Sequence, residues 1–229
     1  MGKKETLISR FQTLESLRRV GEKKAYVWAL FGWIGNTFYY KPPPDKTNAD
    51  GKRYLNLGCG PSRLEGWVNA DFFRFHEWLR PEPLDWMLDL QRELNCPNNH
   101  WDGIFIEHAN EHISYSKNMI LISEIYRTLK PGAIVRFVIP DLDRYLRYDA
   151  LQDDFEKFKR YHSLPEALSN LVHNHGHVSI WNADLLGEVL TSVGFSQITI
   201  CDFREGENDD LLRDKESRRW ESMYVEAKK

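Results

Sequence analysis

Two short apolar runs with very little chain between them constrain this sequence most. Tyr54-Leu55-Asn56-Leu57 runs into the turn Gly58-Cys59-Gly60, and Trp67-Val68-Asn69-Ala70 ends on Asp71. Each reads as a buried strand, one closed by glycines and the other by a carboxylate. Glycine serves where the backbone must approach a ligand or adopt positive φ. An acid at the tip of the next strand can accept both hydroxyls of a ribose, as in nucleotide-binding α/β folds. The interval from Gly60 to Asp71, with the second strand counted in, is too short for a crossover helix, since a βαβ crossover takes at least ~10–12 residues.

After these runs strand and helix patterns alternate, which predicts a mostly parallel sheet with helices on its faces. Strands are expected at Arg53–Leu57, Trp67–Ala70, Trp86–Leu88, Gly103–Ile106 and Ala133–Ile139, the last continuously apolar except for Arg136. A helix at Ser116–Leu129, with Ile120, Leu121, Ile125 and Leu129 on one face, is stopped by Lys130-Pro131-Gly132. Helical material fills Asp141–His173, and a further helix, Asn182–Val193, stops at Gly194. Strands Gln197–Phe203 and Ser222–Ala227, with little between them, predict a closing antiparallel pair. Residues 1–50 read as a separate helical and aromatic appendage, and residues 51–229 as the main domain. The boundary is the proline-rich Lys41-Pro42-Pro43-Pro44-Asp45.

Composition excludes several partners. The 229 residues carry a formal net charge of -3, which gives no pull toward nucleic acid. Three cysteines without paired spacing suit a reducing cytoplasm. The apolar stretch Tyr26–Gly35 is shorter than the ~20 residues of a membrane span and has no cleavage site after it, so no integral membrane segment or signal peptide is expected. Met1-Gly2-Lys3-Lys4-Glu5-Thr6 fits the loose myristoylation pattern on paper only.

The chain resembles the class I S-adenosylmethionine-dependent methyltransferases. The similarity rests on Leu55-Asn56-Leu57-Gly58-Cys59-Gly60, on Asp71, on Asp89-Leu90, and on Glu107-His108-Ala109-Asn110-Glu111-His112, the bacterial type-11 pattern. It covers Arg53 to the C-terminus and implies a Rossmann-like seven-stranded sheet with an antiparallel last strand. It further implies S-adenosylmethionine as cofactor, held by Asn56, Gly58, Cys59, Gly60, Asp71, Asp89, Leu90 and Glu107. Asn56 stands where many relatives hold an acid, and no third glycine follows Gly60. An aromatic N-terminal segment around Trp28, Phe31 and Trp33 is the expected cover for the sheet face left without a helix.

Methyl transfer from a sulfonium is an in-line displacement that asks the protein mainly for alignment. A hydroxyl acceptor must also lose a proton, which histidine can take at neutral pH. His108 and His112 are the candidate bases, with His177 positioning or assisting. Asp141, Tyr145, His175 and Trp181 are candidate acceptor contacts. The expected acceptor is a small-molecule or sugar hydroxyl, and the expected assembly a monomer or homodimer. N- or C-methylation and a catalytically idle cofactor-binding scaffold are the competing readings. His108-x-x-Glu111-His112 also matches an inverted zinc-protease motif. It follows a buried strand rather than lying within a long helix, however, and His173-Asn174-His175-Gly176-His177 shows no matching acidic partner in sequence. No metal is therefore expected.

Overall fold

The structure is a computed structural model and describes residues 41–72 and 84–229. Most of the expected appendage, including its aromatic segment, lies outside the described residues. Seven strands form one sheet: β1 (Tyr54–Leu57), β2 (Val68–Asp71), β3 (Trp86–Met87), β4 (Trp101–Glu107), β5 (Leu129–Pro140), β6 (Gln197–Cys201) and β7 (Ser222–Lys228). Their order is β3-β2-β1-β4-β5-β7-β6. The first five run parallel, and β7 is antiparallel to both β5 and β6. This is the expected α/β sheet with its reversed last strand.

Side-chain alternation sorts the strands onto two unlike faces. Leu55, Leu57, Ile104, Ile106, Val135, Phe137, Ile139 and Val225 point into the larger core, against α1 (Tyr115–Thr128) and α5 (Ala183–Val193). α1 buries Asn118, Leu121, Ile122, Ile125 and Thr128, a 3–4 spacing that puts Ile122 rather than Ile120 on the core face. α5 starts where the Asn182 side chain accepts the Leu185 amide and ends at Gly194, whose φ of +117° suits glycine. The proline and glycine after α1 do not form a free turn. β5 begins at once, at Leu129, and residues 130–133 bulge outward before pairing resumes at Ile134. Three short helices, α2 (Leu142–Leu146), α3 (Tyr148–Leu151) and α4 (Leu164–His173), pack around an aromatic cluster. Tyr145 and Tyr148 come from α2 and α3, and Phe158, Tyr161 and Trp220 from the segments between and after them.

Among the described residues, the opposite face carries a smaller apolar cluster around Tyr54, Trp67, Phe105, Val138 and Tyr224. Polar side chains tie loops over it instead. As anticipated, no helix joins β1 to β2. Asn56 Nδ2 donates to Ser62 O at 2.8 Å and to Asn69 Oδ1 at 2.9 Å, and Asn69 Oδ1 also accepts the Leu64 amide at 2.8 Å. Asn69 Nδ2 then reaches Leu64 O, Trp67 O and Asp85 Oδ2. Arg136, the polar exception in β5, is fully buried. It makes a two-pronged pair with Asp214 (2.8 and 2.5 Å) and a third contact with Glu226 at 3.1 Å. Its remaining donors bond Glu205 O and Asp202 O, which fixes the segment from 202 to 221 against the sheet.

Replacing Arg136 with methionine strands two buried carboxylates, so Arg136→Met is expected to cost about 3–5 kcal/mol in urea unfolding. A loss below about 1 kcal/mol would show that the segment is held by something else.

Candidate active site

The carboxyl ends of the parallel strands lie along one edge of the sheet, where open α/β folds bind ligands. The register fixes which residues meet there: Leu57 is level with Ala70 and Ile106, Asp71 with Met87, and Glu107 with Val138. The glycine turn, Asp71, Asp89 and the Glu107–His112 stretch therefore share this rim.

The turn after β1 is tightly specified. The Gly58 and Cys59 amides both donate to Ala70 O, at 2.8 and 3.1 Å. Gly58 has φ +68°, and a Cβ there would sit 2.5 Å from the Ala109 Cβ and 3.4 Å from Leu90. Gly58 is thus a close-approach glycine, and what it approaches is the turn after β4. Gly60, at φ +53°, faces open space. Asp71 ends β2 almost buried; its Oδ2 accepts the Gly60 amide and its Oδ1 the Phe72 amide, both at 2.6 Å. These two backbone bonds aim the carboxylate.

Other expected cofactor contacts are engaged within the chain. The Asn56 amide belongs to the polar network under the β1–β2 loop. Buried Cys59 receives the Arg63 guanidinium at its Sγ, at 2.9 Å. Asp89 accepts the Gln91 amide and pairs with Arg92 at 3.5 Å, while Leu90 packs in the main core beside Gly58. Glu107 is paired with Lys215, through the backbone amide at 3.1 Å and the ammonium at 2.5 Å.

The two histidine groups, distant in sequence, come together. A short 3₁₀ turn, Asn110–His112, follows β4. The later segment docks on it: Val178 and Ser179 donate their amides to Glu111 O at 2.8 and 3.1 Å, and the Ser179 hydroxyl lies against Asn110 O and Ile113 O. Glu111 becomes the hub. Its Oε1 lies 3.2 Å from His108 Nδ1 and 3.9 Å from both His112 Nε2 and His177 Nε2. His108 Nε2 is 2.8 Å from the Ser222 hydroxyl on β7 and its φ is +52°, a strained setting for a non-glycine residue. His112 is the most exposed of the three imidazoles, at 37% against 8% for each of the others. His175, exposed and at φ +62°, has its ring centroid 5.9 Å from that of His177.

Burial would push the Glu111 carboxyl up, but the contact and charge of His108, with His112 and His177, overcome it and hold the group at about 2. Burial lowers His177 to about 4 against the pull of Glu111, so it is neutral at physiological pH. Glu111 is a hub for its near neighbours His108 and His112 and for His177, which arrives from far along the chain.

The expected acceptor contacts separate. Asp141 caps α2 by accepting the Asp143 amide at 3.0 Å, and burial raises its carboxyl. Tyr145 and Trp181 are each 1% exposed. Tyr145 donates to Glu221 at 2.8 Å within the aromatic cluster, and Trp181 donates to Ser179 at 2.9 Å within the main core. Both act through packing, because neither ring presents a face to open space. Sequence reading passed over Lys215 and Ser222, which reach the rim through the fold of the 202–221 segment and β7. Further along the edge an open cavity of about 380 Å³ lies among Arg144, Arg147, Arg219, Phe155 and Phe203.

Acid is expected to loosen the fold through the Glu111 cluster. The ordinary values are 6.5 for His177 and 4.5 for Glu111, both above the folded ones, so the unfolded chain takes up each proton first. Stability therefore falls with pH, from about 6.5 to 4 through His177 and from 4.5 to about 2 through Glu111. Glu111→Gln should remove the part of that limb between 4.5 and about 2 in urea unfolding, while the part due to His177 persists. A limb unchanged in slope would contradict the assignment.

No family model matches the chain, and no curated protein matches it by sequence. Solved structures do. One is a SAM-dependent methyltransferase from Archaeoglobus fulgidus, with TM-score 0.51 and 16% identity over 96% of this chain and 99% of that one. A phosphoethanolamine N-methyltransferase 2 from Haemonchus contortus, bound to S-adenosyl-L-methionine, gives TM-score 0.42 and 17% identity over 81% of this chain. The chain spans about half (50%) of that protein's length. A SAM-dependent methyltransferase from Methanosarcina mazei gives TM-score 0.45 and 13% identity over 78% of this chain and 92% of that one. At these identities the likeness is one of fold: the seven-stranded sheet described above is that of the Archaeoglobus methyltransferase structure.

Proposed function

We propose that the chain is an S-adenosylmethionine-dependent methyltransferase acting on a hydroxyl of a small molecule or sugar. One observation carries the reading. The Gly58–Ala109 contact sets the glycine turn and Asp71 directly beside the imidazole cluster, so a nucleoside site and a proton-accepting site adjoin on one sheet edge. The fold shared with the Archaeoglobus methyltransferase supports it.

Bound S-adenosylmethionine supplies a methyl group already on a good leaving group, so the protein's work is alignment and proton removal. In this reading Asp71, aimed by the Gly60 and Phe72 amides, accepts the ribose hydroxyls. The backbone from Gly58 to Gly60 borders the amino-acid end, and Asp89 at the end of β3 takes the adenine amine. His112, the exposed imidazole, takes the acceptor proton at Nε2, because its Nδ1 is directed to Gly176 O at 3.4 Å. His108, clamped between Glu111 and Ser222, holds the carboxylate and orients the turn. The open cavity pairs Arg144, Arg147 and Arg219 with Asp202 and Glu205, a mixed polar lining suited to an acceptor rich in hydroxyls.

Transfer of a labelled methyl group from S-adenosylmethionine to a panel of sugar and small-molecule alcohols tests the reading. His112→Ala should lower kcat by about 10²–10⁴ with cofactor binding intact. Cofactor binding without turnover on any acceptor would favour an idle scaffold. Unchanged turnover in His112→Ala would remove the base assigned here.

A further inference from the structure

We propose that Glu111, His112 and His177 form a binding site for a divalent transition-metal ion, with zinc as the best-suited occupant. A carboxylate oxygen and one ring nitrogen from each histidine all lie within 4.8 Å of one another. Tetrahedral zinc, with bonds of about 2.0–2.1 Å, holds such atoms roughly 3.4 Å apart, so closure needs only side-chain adjustment.

Two features distinguish this cluster from a chance gathering. First, Glu111 is 2% exposed and, among the described residues, neither carboxylate oxygen has a hydrogen-bond partner. His108 Nδ1 comes to 3.2 Å but lies off the line of a hydrogen bond. A buried carboxylate without hydrogen bonds is costly unless a cation meets it, whether a protonated imidazole or a metal ion. Second, the hydrogen bonds fix which nitrogens face it. His177 Nδ1 lies 2.7 Å from Leu171 O and His112 Nδ1 lies 3.4 Å from Gly176 O. A carbonyl only accepts, so Nδ1 carries the hydrogen and, in the neutral ring, Nε2 presents the lone pair. Both lone pairs face the same carboxylate oxygen, at 3.9 Å. With both rings neutral, lone pairs turned on an anion repel it, and a cation between them, a metal ion in place of a proton, converts the repulsion into three bonds. A ring N–H tied to a backbone carbonyl is also the usual second support of a metal-bound histidine.

The donor set indicates the ion. Two imidazoles and one carboxylate suit zinc and neighbouring transition metals rather than magnesium or calcium, which prefer oxygen. Three protein ligands leave a coordination position open. The expectation of no metal came from taking the two histidine groups separately, where the second lacks an acidic partner. Folding supplies that partner as Glu111.

The site stands on this geometry and does not depend on methyl transfer. Metal and proton do compete for the same Nε2 of His112, so zinc should slow any turnover that uses His112 as base; that consequence alone rests on the proposed function.

The test is calorimetric titration of zinc chloride into the full chain after chelator treatment, without cofactor, with cobalt(II) absorption as a second readout. One equivalent should bind, and cobalt should give the intense visible band of a low-coordinate site. His112→Ala and His177→Asn should each weaken binding by more than about 100-fold, beyond the loss of a supporting hydrogen bond. His162→Asn, on the surface, should match the wild type. His112 is partly exposed, so its alanine variant remains informative if Glu111→Gln does not fold. Absence of stoichiometric zinc binding, or wild-type affinity in His112→Ala, would overturn the proposal.

Discussion

The contact between Gly58 and Ala109 is the constraint on which the functional edge depends. A Cβ at Gly58 would come within 2.5 Å of Ala109, so only glycine lets the turn after β1 lie against the turn after β4. These turns carry the two halves of the proposed chemistry: one presents backbone beside Asp71, and the other presents Glu111 and its histidines. Separating them by even one methyl group would move a donor site away from an acceptor site. In-line displacement tolerates little such displacement.

Behind this edge the sheet is finished in two different ways. One face is packed by α1 and α5 in the ordinary apolar manner. The other is closed by loops that buried polar groups hold down: Asn56, Asn69 and Asp85 under the β1–β2 connection, and Arg136 with Asp214 and Glu226 under the segment from 202 to 221. Buried polar groups are tolerated only when satisfied, so these networks fix loop positions more sharply than apolar contact would. The second network has a functional reach. It positions the stretch that delivers Lys215 to Glu107 and Ser222 to His108.

Much of the fold was legible because it depends on local chemistry. The apolar runs, the Asn182 helix start, Gly194 and the short interval before Asp71 each carry their own signal. The mostly parallel sheet follows from the alternation they set, though its strand order does not. The irregular start of β5 was not legible, since pairing with Trp101 overrides the proline–glycine stop. In the site, Asp71 and the three histidines could be singled out from type and spacing. The hub role of Glu111 could not, because its meaning comes from His177, brought close only by the Ser179 docking bonds. Tyr145 and Trp181 looked like site aromatics, but burial depends on partners such as Trp220 and Ser179 that no local pattern reveals.

The account's central claim is that the rim formed by the glycine turn and Asp71 holds a sulfonium nucleoside. Calorimetric titration of S-adenosylhomocysteine into the wild-type chain and Asp71→Ala tests it most directly. The account predicts one binding site in the wild type and a large loss of affinity in the variant. Absence of binding to the wild type, or equal binding by both proteins, would contradict it.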